Sequence, residues 1–302
     1  MAAYVRIFHA DSATFVFSGV VYYIFSVEKM TINHAAKPVK IQALGRASAI
    51  MDVIATGDSG GVGLTEISRA TSLNKTTTFN LIASLVTLGF LEQDEQTRFY
   101  RLGLRNLELG RTVQRRLHIA PLARPILVDL CKKTNETVNL GVPDMLDLLV
   151  IDSFQGSQQL HATSYLGWRS MYHCTALGKA MMAYWEESMR NTVFRLSGLP
   201  KKTSNTMTNA EKLEIELKKY RSLGYAVDFQ ENEIGINGIA APVIDGMGEV
   251  AAAVSIAGPA TRLTKKTVEI FSKEVVNAAR VISLSLRQGP SKSRSTMTFR
   301  TR

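Results

Sequence analysis

The side chains that could carry out chemistry in this sequence are few and scattered. There are two cysteines, Cys131 and Cys174, and five histidines, which do not show the spacing of metal ligands. His173 and Cys174 are adjacent, and neighbours on an extended chain point to opposite sides, so they cannot form a catalytic dyad. Ser255 lacks the Gly-x-Ser-x-Gly elbow of a hydrolase. The sequence therefore predicts no metal, no cofactor and no enzyme.

Three other segments resemble sites but favour a simpler interpretation. Asp144, Asp147 and Asp152 alternate without a matching histidine, which indicates a solvated edge rather than a metal site. The glycine-rich residues 57–63 lack the Gly-Lys-Ser/Thr ending of a phosphate-binding loop and predict a turn. Lys179, in a Gly-Lys-Ala sequence, is interpreted as a charge on a helix surface.

Composition narrows the choice of partner. The chain has 302 residues, 45% of them hydrophobic, which is enough for two ordinary domains. Its net charge of +10 favours an acidic partner such as nucleic acid or an anionic membrane. The excess lies at residues 30–116 (+4) and 287–302 (+5), whereas residues 117–286 carry only +1. The few cysteines and the lack of a run of about 20 apolar residues predict a cytoplasmic protein without stable membrane association.

The N-terminal residues differ in composition from the rest of the chain. Residues 12–27 are uncharged and rich in aromatic side chains, but they are too short to span a bilayer comfortably and lack the features of a signal peptide. Met30 is the preferred start of the native protein, so residues 1–29 are predicted to be a non-native or disordered extension. A genuine membrane or oligomerisation segment is the alternative.

Residues 30–103 show the pattern of a winged helix-turn-helix. Apolar residues recur at three- and four-residue spacing over residues 44–54, and a short second helix follows at residues 66–71. Asn74 is a strong N-cap for a third helix that extends to about residue 88. Residues 90–102 then predict a hairpin, the wing.

The third helix has one apolar face and one face of short polar side chains. Thr76, Asn80 and Ser84 share the polar face, and the helix contains no acid before residue 87. Hydroxyl and amide groups can approach base edges and phosphates, so we favour a DNA recognition helix over an ordinary solvated face, which usually carries Glu and Lys. The predicted DNA contacts are Arg46, Lys75, Thr76, Thr77, Asn80, Arg98 and Arg101.

The second half alternates strands and helices. Strands are predicted at residues 137–142, 146–154, 158–164, 225–229, 239–244 and 249–257. Thr208 and Glu211 form a capping box that opens a helix ending at Gly224. Strands joined by hairpin turns and flanked by helices predict an α+β fold with a mostly antiparallel sheet.

Three segments make the sequence similar to the IclR family of bacterial transcriptional regulators. They are LTEISRATSLNKTTTFNLIASLVTLGF within residues 41–110, MYHCTALGKAMMAYW at residues 171–185, and GYAVDFQENEIGINGIAAPVIDGMGEVAAAVSIAGP at residues 224–259. The recognition helix departs from the family at two positions. Asn80 stands where Arg is frequent and Phe79 where His is frequent. Asn80 would therefore favour adenine where Arg favours guanine.

The resemblance covers residues 38–288 and implies a domain plan. It implies a winged helix-turn-helix domain at residues 30–103 and a linker helix at 104–120 that helps two subunits pair; a basic helix along DNA phosphates is the competing view of the linker. It also implies a GAF- or PAS-like effector domain at residues 121–288 that binds a small organic acid. Residues 289–302 are predicted to be a basic, disordered tail.

The effector site is predicted partly from the resemblance and partly from chemistry. The resemblance implies that the amides of Ala176 and Leu177 and the side chain of Asp228 meet the ligand. His173 is added because it can hydrogen-bond an acid, and Trp168 because it can cover an apolar ligand body, with plain packing as the alternative for each. Gly238 and Ala257 replace Cys and Ser of the family. The predicted effector-binding residues are Trp168, His173, Thr175, Ala176, Leu177, Asp228, Gly238, Ser255 and Ala257.

Together these patterns predict a transcriptional regulator that acts as a homodimer or homotetramer. It would bind double-stranded operator DNA, and a small organic acid effector would modulate that binding. The alternative is an enzyme in which a GAF-like catalytic domain carries a DNA-binding module.

Overall fold

The computed structural model describes residues 7–9, 12–17, 20–25, 39–58 and 60–288. The predicted basic tail, residues 289–302, lies outside the described residues. The chain divides into two units, one that ends at Lys40 and one that begins at Ile41.

The first unit contains three short strands. They are β1 (Ile7–His9), β2 (Ser12–Phe17) and β3 (Val20–Phe25), and they pair antiparallel in sequence order. The sequence predicts no element in this segment, so these strands are an addition to the expected fold. That residues 1–29 are an extension foreign to the native protein stays a prediction.

The predicted three helices and hairpin are confirmed. The elements are α1 (Gln42–Ala55), α2 (Leu64–Ala70), α3 (Lys75–Thr87), β4 (Leu91–Gln93) and β5 (Tyr100–Leu102). Their apolar faces meet in one core, in which Ile50, Ile67 and Ile82 are fully or almost fully buried. Gly89 ends α3 with a positive φ of 77° and donates its N–H to the carbonyl of Val86 (2.9 Å), a Schellman-type stop that favours glycine.

Two helices follow the wing. They are α4 (Arg105–Arg116), in the segment predicted as the linker, and α5 (Ile119–Thr134). Leu107 and Val113 are exposed along the first of them, and Leu104 is exposed just before it begins. The segment predicted as the linker is therefore helical over Arg105–Arg116 and leaves apolar side chains uncovered, while its bounds at 104–120 and its role in pairing subunits stay predictions.

The remaining elements form a six-stranded sheet with helices. They are β6 (Thr137–Asp144), β7 (Asp147–Phe154), β8 (Arg169–Ser170), α6 (Ala176–Met182), α7 (Glu187–Ser197), α8 (Ala210–Leu223), β9 (Ala226–Phe229), β10 (Ile236–Ile244), β11 (Val250–Pro259) and α9 (Lys265–Gln288). The strand order is β8-β7-β6-β11-β10-β9, and every neighbouring pair is antiparallel. The predicted α+β class with an antiparallel sheet is confirmed.

The sheet separates two cores. On one face α5 and α9 pack against branched residues such as Ile239 and Val254. On the other face α6, α7 and α8 pack against smaller residues, among them Ala240 and Ala253. Because side chains alternate along a strand, the small residues of this second face collect beneath α6.

Two local predictions are wrong. Residues 158–164 form a loop rather than a strand, because the side chains of Thr137 and Arg262 donate hydrogen bonds to its backbone carbonyls (2.8 and 2.7 Å). Asn209, not Thr208, caps α8, since its side-chain oxygen accepts the third amide of the helix at 2.8 Å.

Candidate functional site

The recognition helix is held by its cap and its buried face. The Oδ1 atom of Asn74 accepts the N–H of Thr77 (2.8 Å), as the N-cap prediction requires. Thr78, Ile82 and Leu85 are buried on the inner face. The outer face therefore points away from the core of its domain.

The predicted DNA contacts on α3 differ in exposure. Lys75, Thr76 and Asn80 are exposed, whereas Thr77 is half-buried. Arg46 is exposed on α1 and donates to the side chain of Gln42 (3.2 Å). Lys75, Thr76 and Asn80 thus form one accessible polar surface at the start of α3, with a single positive charge and no acid.

The two wing arginines have different surroundings. Arg98 is exposed and adopts a positive φ of 62° in the turn of the hairpin. Arg101 instead forms an ion pair with Asp94 across the hairpin. Hydrogen bonds from Thr97 hold the pKa of Asp94 below its usual range, which keeps the carboxylate charged. The sequence does not single out Asp94, although an acid at the head of a polar turn is a common way to close one.

The predicted effector residues on α6 lie in a tight turn. Thr175 caps α6 by accepting the N–H of Gly178 at 3.1 Å. A Cβ atom at Gly178 would stand 2.3 Å from the backbone of Tyr172, so only glycine permits this approach. Ala176 and Leu177 are buried in the first turn of the helix.

Beneath that turn, small residues line the sheet. Gly238 is paired with Ala257 in the next strand and with Asp228 in the preceding one, and Ala240 is paired with Ser255. These residues share one face because directly opposed residues point to the same side of a sheet. A Cβ atom on Gly238 would lie 3.3 Å from the Cβ of Ala176. The structure therefore brings four predicted effector residues of the sheet together under the predicted residues of α6.

A buried charge cluster borders this face and corrects one prediction. Lys179 is not a surface charge: its side chain is 0% exposed and forms an ion pair with Glu231. Its Nζ atom also lies 5.6 Å from the ring centroid of Tyr220. The Oδ1 atom of Asp228 accepts the backbone N–H of Glu231 (2.7 Å).

The two buried carboxyl groups hold protons more tightly than usual. Burial raises the pKa of Asp228 to about 7, against the opposing effect of Lys179. Burial likewise raises the pKa of Glu231, whose second oxygen, Oε2, is buried without a hydrogen-bond partner. Asp228 can therefore donate or accept a hydrogen bond near neutral pH.

His173 and Trp168 lie in different settings from the sheet residues. The Nε2–H of His173 donates to the carbonyl of Pro200 (3.0 Å), and burial lowers the pKa of the imidazole, so the ring is neutral at pH 7. Trp168 is half-buried and stacks on Tyr165 with centroids 6.3 Å apart. His173 thus offers no positive charge to an acid.

Within the described part of the chain, no group of three or more His, Cys, Asp or Glu side chains is arranged to hold a metal ion. The described helices likewise include none with the length and apolar character needed to cross a membrane.

Comparisons with known proteins agree with this geometry. The family model described as IclR helix-turn-helix domain matches residues 43–95, and the one described as Bacterial transcriptional regulator IclR C-terminal matches residues 111–284. The HTH-type transcriptional regulator BhcR of Paracoccus denitrificans is 32% identical over 82% of this chain and 88% of its own length.

Two solved structures have the same fold. The Thermotoga maritima IclR structure is 33% identical, with a TM-score of 0.68 over 81% of this chain and 98% of that one. An IclR homolog from Microbacterium hydrocarbonoxydans, complexed with 4-hydroxybenzoate, has a TM-score of 0.69 at 23% identity, over 82% of this chain and all of that one.

Proposed function

Since the chain belongs to the IclR family of bacterial transcriptional regulators, we propose that a small organic acid, bound beneath α6, controls its binding to operator DNA. The chain is a regulator with a helix-turn-helix domain and not an enzyme, so the alternative of a catalytic GAF-like domain is not retained. One observation carries the proposal: the first turn of α6 covers a sheet face of small residues that ends at a buried carboxyl group, Asp228.

On the DNA side, the contacts divide by chemistry. Lys75, Arg98 and Arg46 supply positive charge for phosphates, and Thr76 and Asn80 meet base edges. Arg101 is neutralised by Asp94 and serves mainly to hold the wing. Two subunits place their α3 helices in successive major grooves of a near-palindromic operator.

Pairing of subunits is proposed through α4. Its exposed Leu107 and Val113, together with Leu104 just before the helix, would be buried in a homodimer or homotetramer, which removes apolar surface from water. We propose that the paired subunits adopt two arrangements, one competent to bind DNA and one not. If the second arrangement binds the effector more tightly than the first, effector binding lowers the affinity for DNA, and the two sites are coupled.

On the effector side, the residues fit an acid that also carries a hydroxyl group. Ala176 and Leu177 offer first-turn amides, Ser255 a hydroxyl group, and Asp228 a carboxyl group that can share a proton with the ligand. Gly238 and Ala257 present no bulky side chain on the sheet, so an apolar ligand body fits there once the first turn of α6 moves away from Gly238, whose added Cβ would lie only 3.3 Å from the Cβ of Ala176. Trp168 is proposed to cover that body. The 4-hydroxybenzoate in the Microbacterium structure has this combination of groups.

Thermal unfolding tests the pocket. Both tryptophans, Trp168 and Trp185, belong to the effector domain, so fluorescence reports on that domain. One of 4-hydroxybenzoate, gluconate and pyruvate should raise its Tm by about 5 to 10 °C at 100 times the Kd. Ser255→Ala should reduce the shift, whereas the exposed Ser222→Ala should not. The proposed pocket is wrong if no acid shifts the transition or if both serine variants respond alike.

A further inference from the structure

The outer face of α3 carries an apolar side chain among its polar ones. Thr76, Phe79, Asn80 and Ala83 are exposed at three- and four-residue spacing, which places them on one stripe of the helix. Phe79 is 52% exposed. The inner face is complete without it, because Ile82 and Leu85 fill the core on that side. Phe79 therefore adds nothing to the core of its domain and lies in the middle of the surface that would face DNA.

The chemistry of this stripe matches an A·T base pair. The C5-methyl group of thymine is an apolar feature of the major groove, and aromatic or methyl-bearing side chains contact it. Asn80, next to Phe79, can pair with adenine. The stripe has no Arg to pair with guanine and no acid to accept from cytosine.

We infer that Phe79 is a specificity-determining residue that packs against the methyl group of a thymine beside the base contacted by Asn80. The inference rests on the DNA binding through α3 proposed above. DNA is favoured over a protein partner for this ring because Lys75 and the uncharged polar side chains Thr76 and Asn80 surround it.

The test begins with selection of a binding site. Full-length protein is used to select duplexes from a library with a randomised core of about 20 base pairs, enough for two half-sites. Each thymine of the selected half-site is then replaced by deoxyuridine, which removes only the methyl group. The Kd of each duplex is measured for the wild type and for Phe79→Ala.

One thymine in each half-site should stand out. Loss of its methyl group should weaken wild-type binding about fourfold, the equivalent of ~0.8 kcal/mol for one buried carbon, and about fifteenfold when both half-sites are changed. Phe79→Ala should bind the thymine and deoxyuridine duplexes equally. Leu88→Ala, which removes another exposed apolar side chain after α3, should retain the wild-type preference.

Other outcomes overturn the inference in distinct ways. A deoxyuridine penalty that persists in Phe79→Ala, or that occurs at no thymine, means that Phe79 does not contact a methyl group. If Phe79→Ala changes the oligomeric state and leaves every Kd for DNA unchanged, Phe79 contacts a protein and not DNA. Lys75→Ala should weaken binding to all duplexes and flatten its salt dependence. A wild-type protein that selects no sequence would overturn DNA recognition by α3 itself, together with the inference.

Discussion

The DNA-binding domain and the effector domain place their polar groups in opposite ways. In the first, Lys75, Asn80 and Arg98 are exposed, and the buried side chains described for that domain carry no charge. In the second, Lys179 and Glu231 are buried as an ion pair beside a second buried carboxyl group. The charged and polar groups of the DNA-binding domain are thus accessible to a large partner, whereas this charge cluster of the effector domain is buried.

The difference in burial decides whether a substitution changes the free energy of binding or that of folding. An exposed charge is solvated in the free protein, so removing it changes binding more than folding. A buried charge depends on its partner, and removing either one leaves the other without compensation. Substitutions of polar residues should therefore affect DNA affinity in the first domain and stability in the second.

The largest expected effect is that of Lys179→Met. It leaves Glu231 and Asp228 buried without a cation, and the loss of one partner of a buried pair typically costs about 3 to 5 kcal/mol. Urea unfolding followed by tryptophan fluorescence should show this loss in the effector domain. The exposed Lys212→Met on α8 is the matched control and should change stability by less than ~0.5 kcal/mol.

A second variant keeps this prediction informative if Lys179→Met does not fold. In Lys179→Met with Glu231→Gln, one buried charge of each sign is gone, so the double variant should be more stable than Lys179→Met alone. Equal stability of the two variants would show that the ion pair does not hold this domain together.

The second effect is a pH dependence with opposite signs in the two domains. The pKa of Asp228 is about 7 in the folded protein and near 3.8 when unfolded. The folded domain thus binds a proton that the unfolded chain has released, and stability falls as the pH rises from about 4 to about 7. The titratable groups around the Asp228 carboxyl are unchanged when Asp228 is replaced by Asn; they are Lys179, Glu231, Cys174 and Tyr220.

Asp228→Asn removes this titration while it keeps the oxygen that accepts the Glu231 amide. Its stability relative to the wild type should rise between pH 4 and pH 8, by about 1.4 kcal/mol for each unit of pKa displacement. Asp94→Asn in the wing is the control with the opposite sign. The pKa of Asp94 is lowered, so its contribution is present above the unfolded pKa and lost as the pH falls. A relative stability of Asp228→Asn that is flat with pH would contradict the raised pKa.

The same contrast explains what the sequence could predict. Asn74, α3 and the wing follow from local rules, since a cap, an apolar stripe and a turn involve residues a few positions apart. The burial of Lys179 was not predicted because its ion-pair partner, Glu231, lies 52 residues away in the sequence. A signal was available: every other residue of ALGKAMM in α6 is apolar or glycine, so the helix has no polar face on which a lysine could lie.

The predicted effector residues show the same limit. Strand register brings Gly238 opposite both Asp228 and Ala257, and only the folded sheet reveals that pairing. The resemblance to a known family supplied these positions where periodicity could not. His173 shows the reverse, since its chemistry suggested an acid partner and its tertiary contact is the carbonyl of Pro200.

The smallest expected effect is the loss of a helix N-cap, a role that an asparagine has in each domain. Asn74 caps α3 and Asn209 caps α8, and each side chain accepts a backbone N–H at 2.8 Å. Asn→Ala at either site should cost about 1 kcal/mol of local stability. Asn209→Ala should lower the fluorescence transition and leave the Kd for the selected duplex unchanged.

Asn74→Ala should do the opposite. It should leave the tryptophan transition in place, because both tryptophans belong to the other domain. It should also weaken DNA binding several-fold, because α3 would begin less regularly at Lys75 and Thr76, the residues proposed to lie nearest the duplex. If the two variants affected both measurements alike, the division of labour between an exposed binding surface and a buried sensor would have to be abandoned.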